Sequence, residues 1–240
     1  MKIVLTNDDG YNAPGISALK DKLSAMGYET VVIAPDRDNS AISHSITLGK
    51  NIAIEPAGKG VYKIAGTPAD CVMLSKKAGL LEDAALVISG INRGGNMGED
   101  VHYSGTVAAA MEAGFCGFKS MALSVNSKKP VHYGAVFPFL GALIEETLRI
   151  KGQYILNANY PDIPVLKGLE WTYLGKREYI DHVEIEKKPD GTLNVLNRPS
   201  ENIPSLLKGS DYYALSKGKI SVTPLKLDWT DNALLRRKRK

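Results

Sequence analysis

Two adjacent carboxylates, Asp8 and Asp9, follow the short apolar run Ile3-Val4-Leu5 and are closed by Gly10. Side by side they repel, so one must hold a proton or the pair needs a counter-charge. A divalent cation supplies that charge. The nearby donors are all oxygens, with no Cys or His among them, which suits Mg²⁺, Mn²⁺ or Ca²⁺ better than zinc. A second polar cluster, Asp38 to Leu48, carries Ser40, Ser43, Ser45 and Thr47 around His44. A third, Asn92-Arg93-Gly94-Gly95-Asn96-Met97-Gly98, has three glycines that let backbone approach a ligand closely. A fourth, Ser104-Gly105-Thr106, opens an Ala-rich stretch from Val107 to Ala113. Small residues entering a helix suit phosphate, because the free N–H groups and the helix dipole both favour an anion. Plainer roles compete: Asp8 and Asp9 would also serve as caps of the next helix, and Ser104 or Thr106 as caps of the later one.

The elements that position these clusters are legible from periodicity. Ile3 to Leu5 reads as a buried strand ending in the acidic loop. Ile16, Leu19, Leu23 and Met26 share a helical face opened by Pro14 and ended by Gly27. Glu29 to Ala34 is a second strand, so residues 2 to 34 form a βαβ unit with a right-handed crossover. Residues 50 to 65 alternate as short strands. Thr67 and Pro68 open a helix over Cys71 to Leu81. Leu86 to Asn92 is a third strand, Met121 to Val125 a fourth, and Tyr154 to Ala158 another. Between the last two lies an amphipathic helix through Val136, Leu140, Leu143, Ile144 and Leu148, with Pro138 in its first turn or at a kink. In an open parallel sheet ligands bind at the carboxyl ends of the strands, where all four clusters fall. The expected fold class is therefore α/β, a Rossmann-like three-layer fold with a mostly parallel sheet. No Gly-x-Gly-x-x-Gly follows the first strand, so Asp36 is not read as a dinucleotide ribose contact.

From about residue 166 the pattern turns to β. Leu169 to Leu174 reads as a strand. Val183 to Glu186 and Thr192 to Leu196 flank Pro189-Asp190-Gly191 as a projecting hairpin. Lys219 to Thr223 is a strand stopped by Pro224, and Thr230 caps a short helix over Asp231 to Leu235. No internal repeat or linker appears. Residues 1–240 are read as one domain, with a Rossmann-like core over 1–165 and a β-hairpin and oligomerisation segment over 166–240.

The composition is that of an ordinary globular chain, 240 residues with 44% hydrophobic and 23% charged. No apolar run approaches the ~18 residues of a membrane span, and no signal peptide is expected ahead of the acidic pair. Cys71 and Cys116 form neither a disulfide framework nor a metal spacing. A cytoplasmic location fits. The formal charge of +4 is misleading, because Arg236 to Lys240 alone contribute +5 and leave the body at −1. Such a tail is expected to be solvated and disordered, and nucleic-acid binding is not expected from it.

The motifs in this order resemble the SurE family, the stationary-phase survival proteins, which are metal-dependent nucleotidases and acid phosphatases. The resemblance rests on Thr6-Asn7-Asp8-Asp9-Gly10, Ala13-Pro14-Gly15-Ile16, Ala34-Pro35-Asp36-Arg37 with Ser40 beyond, and His44-Ser45-Ile46-Thr47-Leu48. It continues through Gly66-Thr67-Pro68-Ala69-Asp70-Cys71, Ser89-Gly90-Ile91-Asn92-Arg93-Gly94, Tyr103-Ser104-Gly105-Thr106 and Ser221-Val222-Thr223-Pro224-Leu225. It implies one divalent metal ion per subunit, Mg²⁺ or Mn²⁺, held by Asp8, Asp9, Ser40 and Asn92. It implies phosphate held by Asn96, Ser104, Gly105 and Thr106. The implied activity is hydrolysis of nucleoside 5′- and 3′-monophosphates, with trimming of short polyphosphate. The implied partner is a second copy of the chain, as a homodimer or homotetramer built on C-terminal strands and the hairpin. The region Arg177 to Asn202 departs from the family in being shorter and lacking an aromatic-rich second hairpin strand.

Within that reading Asp8 and Asp9 are the catalytic carboxylates, Asp9 chiefly as metal ligand and Asp8 nearest the attacking water. His44 or His102 would protonate the leaving oxygen. An aspartyl-phosphate mechanism of the haloacid-dehalogenase type needs a second Asp two residues on, where Gly10 or Tyr11 stands. The alternative from another class is a non-catalytic nucleotide- or polyanion-binding α/β module, which has no use for two carboxylates beside its anion.

Overall fold

The computed structural model describes the backbone of residues 1–238, and the side chains of these except 179–182 and 197–202. In chain order the elements are β1 (Lys2–Thr6), α1 (Pro14–Ala25), β2 (Glu29–Pro35), β3 (Ile54–Gly58), β4 (Val61–Ile64), α2 (Pro68–Lys77) and β5 (Ala84–Arg93). A 3₁₀ turn (Gly98–His102) leads into α3 (Gly105–Phe115) and β6 (Lys119–Asn126), and a second 3₁₀ segment (Tyr133–Phe139) into α4 (Leu140–Arg149). The chain continues through β7 (Tyr154–Pro161), β8 (Leu169–Trp171), β9 (Arg177–Lys187), β10 (Leu193–Pro204), α5 (Asp211–Ser216), β11 (Ile220–Lys226) and α6 (Asn232–Lys238).

Nine strands form one sheet in the order β3-β4-β2-β1-β5-β6-β7-β11-β8. All neighbours are parallel except β3 with β4 and β7 with β11. Alternation along the central strands splits the core into two faces. Ile3, Leu5, Leu86 and Ile88 pack with Ile16, Leu19, Leu140 and Leu143 of α1 and α4 on one side. Val4 and Val87 pack with Cys71, Val72, Ala109 and Ala113 of α2 and α3 on the other. The result is the three-layer α/β arrangement expected, with strands buried on both faces as parallel sheets require. α1 reaches β5 closely because Gly15 lacks a side chain: a Cβ there would stand 2.0 Å from the Ile91 carbonyl oxygen.

Several boundaries differ from the sequence reading. The helix expected to run to Leu81 stops at Lys77, and Ala78 begins a turn through the left-handed Gly79. Pro138 lies inside the 3₁₀ segment before α4 rather than in the α-helix itself. Pro224 does not stop β11, which runs on to Lys226. β8 pairs with β11 only at Ile220 to Val222, so the proline nitrogen faces no strand and removes no ladder bond. The last helix is capped by Asp231, whose carboxylate accepts from the Ala233 and Leu234 amides, and not by Thr230. Arg236 to Lys238 form the end of α6 instead of a disordered tail, and the remaining two tail residues lie outside the described ones. The hairpin is longer than read, because β9 and β10 pair from Arg177 with Pro204 to Lys187 with Leu193. α5 was not anticipated.

Candidate active site

The acidic loop is held by Asn7, whose side-chain amide donates to the Gly10 carbonyl at 2.8 Å and accepts from the Gly10 N–H at 3.1 Å. That local turn sets Asp8 and Asp9 at the carboxyl end of β1. Neither caps α1, whose N-cap is Ala13 with no side-chain cap bond. The Asp8 carbonyl accepts from the Asn39 N–H at 2.8 Å, which binds the loop after β2 to it.

Asp8 points at the N-terminus of α3. Its Oδ1 accepts from the Thr106 hydroxyl, and the side chain is buried. The approach needs Gly105, where a Cβ would fall 2.9 Å from the Asp8 Cβ. Burial pushes the Asp8 carboxyl up to about 6, with the neighbouring Asp9 adding to the rise and the Thr106 hydrogen bond opposing it. Asp9 turns the other way. Its Oδ1 accepts from Arg93 Nε at 2.8 Å and its Oδ2 from the Arg93 backbone N–H at 3.2 Å. Burial raises the Asp9 carboxyl and Arg93 pulls it back. The same guanidinium reaches Asp38 through Nη2, and Asp38 accepts from the Ser40 hydroxyl at 2.6 Å.

β5 delivers Asn92. Its Nδ2 donates to the Gly94 carbonyl at 2.8 Å, and its Oδ1 accepts no hydrogen bond from the described residues. The glycine loop that follows is anchored from beneath through Asn96. The Asn96 N–H donates to Asn159 Oδ1 at 2.7 Å, and its carbonyl accepts from Asn157 Nδ2 at 2.8 Å and Asn159 Nδ2 at 3.1 Å. The Asn96 side chain donates to Ser124 Oγ at 2.9 Å. Asp211 grips the loop's far end, accepting from the Gly98 and Gly175 amides at 2.9 Å each.

Asp8, Ser40, Asn92, Asn96, Asp100 and Ser104 line one open cavity of about 260 Å³ at the carboxyl edge of the sheet. Asp9 lies behind Arg93, which also lines it. Thr106 is fully buried on Asp8, and Ser104 caps α3 by accepting from the Val107 N–H at 3.1 Å. His44 and His102 are absent from this cavity and line a larger one next to it. His44 Nε2 stands 3.0 Å from Glu112 Oε2 and stacks on Phe115. Sequence reasoning missed Arg93 and Asp38 as part of the cluster, and Asn157 and Asn159 as its support. A cation facing an acidic loop across adjacent strand ends was the available signal for Arg93.

The donors suit a hard divalent cation. Among the described residues no three His, Cys, Asp or Glu side chains converge as a metal-binding group. The set is instead a buried carboxylate with a raised pKa, a second carboxylate, a hydroxyl and an amide oxygen that accepts no hydrogen bond among the described residues. All are oxygens at the carboxyl edge of the sheet; Asp8, Ser40 and Asn92 line the crevice, and Asp9 stands behind Arg93.

This fold and this site define a three-layer α/β protein with an acidic, oxygen-lined crevice on the carboxyl edge of its parallel sheet. The family described as Survival protein SurE matches residues 3–181, and the chain belongs to the SurE family. It is 41% identical over 234 residues to a protein named 5′-nucleotidase SurE from Alkalilimnicola ehrlichii, covering 96% of this chain and 91% of that one. It is also 41% identical over 239 residues to a protein of the same name from Legionella pneumophila, covering 96% and 92%. The crystal structure of the SurE protein from Aquifex aeolicus superposes with a TM-score of 0.87 at 35% identity, covering 99% of this chain and 98% of that chain.

Proposed function

We propose that this chain is a divalent-metal-dependent 5′-nucleotidase that hydrolyses nucleoside 5′- and 3′-monophosphates to nucleoside and phosphate, with short polyphosphate as a further substrate. The observation that carries this reading is Asp8, a buried carboxylate held near pKa 6 between a second acid and a helix N-terminus. Burying such a group without a counter-charge is costly, and a metal with a phosphate supplies both the charge and the reason for the site. The names of the relatives at about 40% identity support the same substrate class.

Asp8, Asp9, Ser40 and Asn92 would hold one Mg²⁺ or Mn²⁺. Bound there, the ion would polarise the phosphoryl oxygen and acidify water. The chain's own groups do the rest. Asp8 takes the proton as water oxygen bonds to phosphorus and the bond to the ester oxygen breaks. Thr106 keeps its carboxylate aimed while it does so. Asn96 and the Ser104 hydroxyl, both on the cavity wall, hold phosphate oxygens, and the N-terminus of α3 with Gly105 and Thr106 contributes positive potential. Arg93 shares the charge of Asp9 and Asp38. His44 or His102, which both line the neighbouring cavity, would protonate the departing oxygen.

The unit that acts is proposed to be a homo-oligomer. On β9 and β10 the residues Val183, Ile185, Leu193 and Val195 fall on one face by strand alternation, and all are about half exposed or more. An exposed apolar stripe on a projecting hairpin fits a second copy of the chain. No described helix is long and apolar enough to cross a membrane, and the two unpaired cysteines suit a reducing cytoplasm.

The test is phosphate release from nucleoside 5′- and 3′-monophosphates and from short polyphosphate, with Mg²⁺, Mn²⁺ or EDTA. Metal-dependent release supports the reading. Nucleotide binding without release under any metal favours the binding module.

A further inference from the structure

Beside the acidic crevice lies a larger cavity of about 550 Å³, to which the proposed chemistry assigns only a proton donor. The two share one residue, Ser104. The chain between Asp100 and Ser104 is the partition: Asp100 and Tyr103 face the crevice, and Val101 and His102 face the larger cavity. The floor of the larger cavity is apolar, built from Val107 and Met111 of α3 with Leu225 of β11. Its roof is the segment after β11, fixed by the Leu227 N–H donating to the Gln153 carbonyl at 3.0 Å. That segment carries Trp229, which is 74% exposed and meets the His102 ring edge-on at 5.9 Å between centroids.

We propose that this cavity receives the nucleoside portion of the substrate, with Trp229 as the surface on which the base stacks. The inference rests on the phosphomonoesterase reading and names where the organic half of the ester goes. Its size falls within the roughly 300–1,000 Å³ of small-ligand pockets. Its charge fits as well. Asp228 and Asp231 line it with one cation, Lys226, so ribose hydroxyls and base amino groups find acceptors there. A phosphate in the crevice and a nucleoside in the cavity meet at Ser104, where the ester oxygen must lie. An exposed tryptophan beside an apolar floor is a sequence-tolerant stacking platform, which predicts preference for nucleotides over small phosphate esters without strong choice among bases.

The experiment compares kcat/KM for adenosine 5′-monophosphate and methyl phosphate in the full-length chain with Mn²⁺. In Trp229→Ala the ratio of the two should fall ~tenfold, chiefly through KM for the nucleotide, and Trp229→Phe should restore most of it. Independently, adenosine alone should quench the fluorescence of Trp229 in a Trp171→Phe background, with no metal present. An unchanged ratio in Trp229→Ala, or fluorescence that adenosine does not alter, overturns the proposal. Absence of phosphate release from both substrates in the wild type would instead refute the phosphomonoesterase reading, and the adenosine titration would then decide on the cavity alone.

Discussion

Arg93 Nε stands 2.8 Å from Asp9 Oδ1, so the second carboxylate of the acidic pair carries its own cation. Asp9 has a side chain 6% exposed and Arg93 one 50% exposed. A metal ion bound at Asp9 therefore competes with, or adds to, a guanidinium already in place. Removing the guanidinium in Arg93→Gln leaves Asp9 buried with only the residue-93 backbone N–H donating to it, which costs about 2 kcal/mol in the metal-free protein. The same change should enlarge the rise in melting temperature on adding Mn²⁺, because the metal then supplies the whole counter-charge. Thermal melts of wild type and variant, with and without Mn²⁺, check both statements.

Asp8 predicts a pH dependence of definite sign. Its folded pKa, about 6, lies above the ordinary carboxyl value of 3.8, so the folded protein holds the proton more tightly than the unfolded chain. The stability it contributes is present below about pH 4 and is lost as pH rises through 6. Two pKa units correspond to about 3 kcal/mol. In EDTA, wild type should lose stability relative to Asp8→Asn as pH is raised from 4 to 7. Metal affinity should move the opposite way and strengthen as pH rises to 6, because the ion must displace that proton. Chemical denaturation and metal titration across this range measure the two slopes.

The glycine loop is held by side chains from the neighbouring strand β7. Asn159 bonds both the N–H and the carbonyl of Asn96, and Asn157 bonds the same carbonyl. Asn159→Ala leaves the Asn96 N–H without its acceptor at a cost of about 1–3 kcal/mol. It should also raise KM for nucleotide several-fold by loosening Asn96, the proposed phosphate contact, with a smaller effect on kcat. Steady-state kinetics beside a denaturation curve distinguishes this from general loss of fold.

The hairpin stripe makes an assembly prediction. Ile185 and Val195 are cross-strand partners, 64% and 60% exposed. Replacing both by Lys should shift the sedimentation behaviour to a smaller species while leaving the fold intact, since neither contributes to the main core. Identical sedimentation of wild type and double variant would exclude the hairpin as the contact.

The main sheet was legible because its strands are buried on both faces and read as apolar runs that end in Asp, Asn and Gly. Ile3 to Leu5 and Leu86 to Ile88 are of this kind. Boundaries that depend on tertiary pairing were not legible. Pro224 reads as a stop, and it is tolerated in β11 only because β8 ends before reaching it. α5 is six residues long, too short for periodicity, and its Asp211 acts through backbone amides distant in sequence. Within the site, Asp8, Asn92 and Asn96 announce themselves as polar residues following strands, and Ser104 as a small residue opening a helix. The link between Arg93 and Asp38 does not, because it joins loops 55 residues apart. Asn157 and Asn159 sit inside an apolar-looking strand, and their role appears only when β7 lies beneath the glycine loop.

The central claim is that the acidic pair supports metal-dependent removal of phosphate. The most direct measurement is the rate of phosphate release from adenosine 5′-monophosphate at saturating Mn²⁺ by wild type and Asp9→Asn, each confirmed folded. The account predicts turnover by the wild type that EDTA abolishes, and a loss of about 100-fold or more in the variant. Equal rates in the two proteins, or wild-type turnover that persists in EDTA, would contradict it.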